Sequence, residues 1–163
     1  TPRPKELPSW DSRSAKEKKI LAAEMELAAA HVAQVDYNLG RVMKGIDEMG
    51  LTDNTLVIFI IGDNGGSGEG TLQGTFNDLN IVNQSAESID YLEQRLPDFG
   101  SWKSSNLYAV PWAWAMNTPF QWTKQVASHF GGTRNGMPAP GSSASRAPIR
   151  TAASRSGSGS TTW

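Results

Sequence analysis

A carboxylate and an amide stand side by side in the segment Gly62-Asp63-Asn64-Gly65-Gly66-Ser67. Their oxygens are hard donors of the kind that hold Ca²⁺ or Mg²⁺. Directly before them runs Leu56-Val57-Ile58-Phe59-Ile60-Ile61, apolar throughout and largely β-branched or aromatic. Such a run predicts a strand buried on both faces, as in a parallel sheet. The glycines after it permit a sharp turn at the strand's carboxyl end. Open α/β sheets bind their ligands at that edge. The alternative for the same residues is a polar turn that merely closes a buried strand.

The element that would cover such a strand precedes it. Ser14-Ala15-Lys16-Glu17 has the capping-box pattern and predicts a helix start. Leu21, Met25, Ala28, Val32, Val35, Leu39, Val42, Ile46 and Met49 then recur at spacings of four and three. That stripe is one apolar face of a long helix, and Gly50 supplies its stop. His31 lies beside the stripe and reads as a half-buried helix histidine. After the apolar run, residues 65–83 read as loop, and Ser85 as the cap of a short helix reaching Leu96. Residues 102–122 hold Trp102, Trp112, Trp114 and Trp122 in no clear period; they read as core packing of an irregular insert. Residues 124–130 read as a short extended piece closed by Gly131-Gly132.

Composition excludes several classes of function. The net charge of −1 gives no bulk attraction to nucleic acid or to a membrane surface. No apolar stretch approaches the roughly 20 residues of a membrane span. Without cysteine, the chain has no disulfide, thiolate ligand or cysteine nucleophile. From Pro138 the sequence turns to Ser, Gly, Ala and Arg with no acid, so residues 138–163 are expected to be a disordered tail. A shifted reading frame near Met137, or an artificial join, is one expectation for that change.

Several motifs occur in a recognisable order. They are Asp36-Tyr37-Asn38-Leu39-Gly40-Arg41-Val42, Asp53-Asn54-Thr55 with the apolar run, Gly62-Asp63-Asn64-Gly65-Gly66, Asn117-Thr118-Pro119-Phe120, and Lys124 with His129-Phe130-Gly131-Gly132-Thr133-Arg134. The succession resembles the C-terminal half of the catalytic domain of a type I sulfatase, an arylsulfatase, over residues 1–137. The resemblance implies an α/β, alkaline-phosphatase-like domain, a mixed sheet flanked by helices, present here only in part. It implies that Asp63 and Asn64 ligate the active-site Ca²⁺, with Mg²⁺ as the alternative. It maps a sulfate-binding lysine onto Lys124 and makes His129 a weaker site-lining candidate. The partner it implies is a small-molecule sulfate ester, with the N-terminal half of the domain supplying the rest of the site.

The family's nucleophile is formylglycine, made from Cys or Ser in a Cys/Ser-x-Pro/Ala-x-Arg motif. No such motif precedes Asp63, so the chain alone is expected to be inactive. Ser142-Ser143-Ala144-Ser145-Arg146 fits the short form but comes in the wrong order, within a Ser/Ala/Arg-rich stretch. Two further readings stay open: another alkaline-phosphatase-like hydrolase acting on phosphodiesters or phosphonate monoesters, and a non-catalytic interaction fragment. The compartment is open too, a periplasmic or secreted parent being one option.

Overall fold

The computed structural model describes residues 2–60 and 65–134. The predicted long helix is there as α1, Ala15–Glu48. Its N-terminus closes on the expected box: the Glu17 N–H donates to Ser14 Oγ at 3.3 Å, and the Ser14 N–H donates to Glu17 Oε2 at 2.8 Å. Arg13 adds an ion pair to Glu17 at 2.7 Å. The Ser14 N–H, the Ser14 hydroxyl and Arg13 together hold the Glu17 carboxyl down at about 2. The far end closes through Gly50, at φ +67°. The Gly50 N–H reaches Asp47 O at 2.9 Å and the Leu51 N–H reaches Ile46 O at 3.1 Å. These two bonds are the Schellman pattern, which needs a left-handed residue that glycine adopts freely.

Only the first turns of α1 are packed. Ile20, Leu21 and Glu24 are its buried residues. Ile20 joins Phe76 and Leu92 in the core, with Ile89, Tyr91, Leu96 and Phe99 around them. Leu92 sits on α3, Ile89–Arg95, and Lys16 ties the two helices together through Asp90 at 2.6 Å and Glu93 at 3.0 Å. Further along, the predicted stripe is covered only in part: Met25, Ala28, Leu39 and Ile46 are half-buried, while Val32 is 67% exposed, Met49 65%, and Val35 and Val42 are exposed as well. His31 is exposed, not half-buried. It borders a cavity of about 760 Å³ with Glu24, Val32, Tyr108 and Met116.

Residues 56–60 form no strand. Leu56, Ile58 and Ile60 are exposed and alternate with half-buried Val57 and Phe59. The expected burial on both faces therefore does not hold among the described residues. A strand exists only through a ladder to a neighbour, and the pairing found among the described residues is two isolated bridges, Thr75 with Leu107 and Asn77 with Ser105. None of the described helices is long and apolar enough to cross a membrane.

Several local expectations are revised. The cap of α3 is Ser88, whose Oγ accepts the Tyr91 N–H at 3.2 Å, not Ser85. The loop before it carries one turn of helix, α2, Leu79–Val82. The tryptophan segment contains α4, Val110–Asn117, begun by Pro111 in its first turn, where proline's missing N–H costs nothing. Trp112 on α4 packs at 5.8 Å from Trp10 and donates its indole N–H to Leu21 O at 2.9 Å. Core packing thus accounts for Trp112, while Trp102 is 91% exposed. Residues 124–130 are not extended; they fold as turns into a 3₁₀ turn, Phe130–Gly132. The tail expected at 138–163 lies outside the described residues.

Candidate functional site

Asp63 and Asn64 lie outside the described residues, but the glycines that follow them are placed. Gly65 has φ +84°, and a Cβ there would collide with the Gly131 carbonyl. Gly131 in turn packs on the carbonyls of Gln121 and Trp122, and its N–H donates to Gln121 O at 2.9 Å. The two glycine pairs of the sequence therefore meet backbone to backbone. Only residues without a side chain allow that approach.

Lys124 belongs to the same assembly. Its N–H donates to Gly66 O at 2.9 Å. Its ammonium lies 3.6 Å from Glu69 Oε2, with the side chain about one-third exposed. Glu69 is itself held by the Ser67 hydroxyl at 2.9 Å and by Gln125 Nε2 at 2.6 Å. Lys124 is flanked by Trp122 at φ +64° and Gln125 at φ +75°. Left-handed backbone at residues with side chains costs about 1–3 kcal/mol and persists only where neighbours enforce it.

His129 takes a different position. Its Nδ1 is 2.8 Å from Ser128 Oγ, and its ring meets Trp122 edge-on at 6.4 Å. It lines a cavity of about 400 Å³ with Pro119, Phe120, Gln121, Ser128 and Phe130. Neither Lys124 nor Gly66 borders that cavity. The structure thus brings Lys124, but not His129, to the backbone that continues from Asp63-Asn64.

Among the described residues no group of three His, Asp or Glu could hold a metal ion. Asp63 and Asn64 fit a hard cation in donor type but are fewer than the six to eight oxygens Ca²⁺ takes. Further donors are needed to complete such a site.

One buried acid carries no signal in the motifs. Glu24 is fully buried; its Oε2 accepts the Ala109 N–H at 3.1 Å and its Oε1 has no hydrogen-bond partner. Gly74, at φ +79°, leaves the space that the carboxyl fills. Burial pushes its pKa up to about 8; the Ala109 N–H opposes this and the nearby Glu87 charge adds to it. Glu87 is spent on the 75–80 loop, accepting from the N–H of Phe76 at 2.6 Å, Thr75 Oγ1 at 2.8 Å and Asn80 Nδ2 at 2.6 Å. The spacing of Glu24 from Ile20, one helical turn, was the available sign that it faces inward.

A pH dependence follows from Glu24. The native state binds the proton more tightly than the unfolded chain, so this contribution to stability is full below about pH 4.5 and is lost as pH rises through about 8. The slope is ~1.4 kcal/mol per pH unit at most. Glu24→Gln keeps the acceptor for Ala109 and removes the titration. Urea unfolding at pH 5, 7 and 9 will show the variant gaining on the parent chain as pH rises. A difference between the two that does not change with pH contradicts the assignment.

Comparison with known proteins supports the resemblance at the level of the family. A family profile described as sulfatase matches residues 4–146. An uncharacterized sulfatase of Schizosaccharomyces pombe is 32% identical over 123 residues, covering 76% of this chain and 21% of that relative. The chain thus spans about a fifth of the length of that curated relative. No solved structure matches. With the profile covering most of its length and the motifs in sequence, the chain belongs to the sulfatase family.

Proposed function

We propose that this chain is part of the catalytic domain of an arylsulfatase, a hydrolase of sulfuric esters of the aryl class. The observation that carries this reading is the bond from the Lys124 N–H to Gly66 O. It ties the Lys124 backbone to the segment that leaves Asp63-Asn64, which supports a reading in which the Lys124 ammonium serves an anionic ester held there. Family membership supports the α/β, alkaline-phosphatase-like architecture, in which residues 56–60, unpaired among the described residues, become a strand once the rest of the domain supplies its neighbours.

In this reading Asp63 and Asn64 contribute oxygens to a Ca²⁺ site, with Mg²⁺ as the alternative. When bound, such a cation polarises the sulfuryl group. Lys124 offers a compact charge and three donors to the sulfate oxygens. Attack at sulfur moves charge toward the leaving oxygen, and a fixed ammonium stabilises that charge without reorganising. His129 takes a lining role at most, in keeping with its separate cavity. The nucleophile comes from a segment outside residues 1–137, and the chain by itself is inactive.

The test uses the full-length enzyme that contains this segment. We expect it to cleave p-nitrophenyl sulfate in preference to p-nitrophenyl phosphate and to lose turnover on chelation, with recovery on adding Ca²⁺. The isolated 163-residue chain is expected to show no turnover. A preference for the phosphate ester would move the assignment to the phosphodiesterase or phosphonate-monoester hydrolase branch.

A further inference from the structure

We infer that Asn117 is a positioning residue for the Lys124 ammonium, an inference that rests on Lys124 binding the sulfate group. Asn117 closes α4 and points its amide between two segments. Its Oδ1 accepts the Gly66 N–H at 2.9 Å, and its Nδ2 donates to Trp122 O at 3.1 Å. Gly66 offers a donor there and Trp122 an acceptor, so the amide can face only one way. Gly66 O then accepts the Lys124 N–H at 2.9 Å. The result is a closed ring: Asn117 to Gly66, Gly66 to Lys124, and back along the chain through Thr123 and Trp122 to Asn117.

The ring sits where the backbone most needs support. Trp122 is left-handed at φ +64°, and the carbonyl that Asn117 holds is its own. Thr123, between the two, is buried, and Gly68 comes so close to it that a Cβ would meet Thr123 Oγ1 at 2.6 Å. The Lys124 backbone is therefore held within this ring, while its ammonium lies 3.6 Å from Glu69 Oε2. Loss of the Asn117 amide lets Trp122 relax toward ordinary backbone and frees the Lys124 N–H from Gly66 O, shifting the point from which the side chain starts. Misplacing a binding group by about 1 Å can cost up to about 100-fold in rate.

The experiment is a double-mutant cycle in the full-length enzyme, with p-nitrophenyl sulfate as substrate and inorganic sulfate as a competitive probe. Asn117→Ala will raise KM and the inhibition constant for sulfate together, about tenfold each. A general loss of folded enzyme would instead lower kcat and leave both unchanged. In the Lys124→Ala background, Asn117→Ala will change kcat/KM by less than about twofold, because its effect passes through the missing ammonium.

Multiplicative losses in the cycle overturn the inference while leaving the role of Lys124 intact. A silent Lys124→Ala overturns both. Should Asn117→Ala fail to fold, Asn117→Asp takes its place, since it keeps the acceptor for Gly66 and loses the donor to Trp122. Failure of both variants to fold would reduce Asn117 to holding the fold and overturn the inference.

Discussion

With Lys124 holding the sulfate group as proposed, Lys124→Ala is expected to lower kcat/KM for an aryl sulfate by about 10²–10³-fold in the full-length enzyme, the usual cost of removing one preorganised donor to a developing oxyanion. The loss is chemical and not structural. The fixed contact of Lys124 is its backbone N–H to Gly66 O, which alanine keeps. The side chain adds a partly exposed ion pair with Glu69 at 3.6 Å, and such pairs are worth under about 1 kcal/mol. Melting temperature will therefore hold steady while activity falls. Lys124→Arg restores charge but spreads it over a plane, so it recovers only part of the rate. Steady-state kinetics beside calorimetry reads both quantities. An alanine variant within threefold of the parent enzyme removes Lys124 from the site.

Gly65→Ala carries the largest expected cost in stability, about 3 kcal/mol or more. Two effects add. The left-handed backbone at φ +84° penalises any Cβ by about 1–2 kcal/mol. The new methyl also collides with the Gly131 carbonyl, which is backbone and cannot rotate aside, and crowds Asn117 Oδ1 at 3.3 Å. Gly45→Ala is the matching control. Gly45 lies inside α1 with nothing within 4 Å of its would-be Cβ, so alanine there gains up to about 1 kcal/mol of helix propensity. Thermal unfolding of the two variants will move in opposite directions. A Gly65→Ala variant as stable as its parent would mean that the glycine pairs do not touch.

What could be read from sequence divides by how far apart the interacting groups lie along the chain. Both ends of α1 were legible, because a capping box and a terminal glycine act within a few residues. The strand at residues 56–61 was read from its own side chains, yet a strand is made by a partner, and no described residue supplies one. The tryptophan segment hid α4 because its apolar residues fall on all sides of the helix, leaving no period to detect. Lys124 was reached through the family's order of motifs alone. Its bond to Gly66 joins residues that are distant in sequence, and nothing local announces it. Asn117 was visible as part of a motif, but its bridging role appears only when Gly66 and Trp122 are brought to the two ends of its amide.

The unpacked half of the long helix bears on how this polypeptide behaves in a test tube. Val32, Val35, Val42 and Met49 form a greasy rail, and Leu56, Ile58 and Ile60 add three more oily teeth soon after it. Two copies meeting along those rails would each shed solvent at the same places. Colloidal stickiness, rising with concentration and eased by mild detergent, is the handling cost of producing this piece by itself.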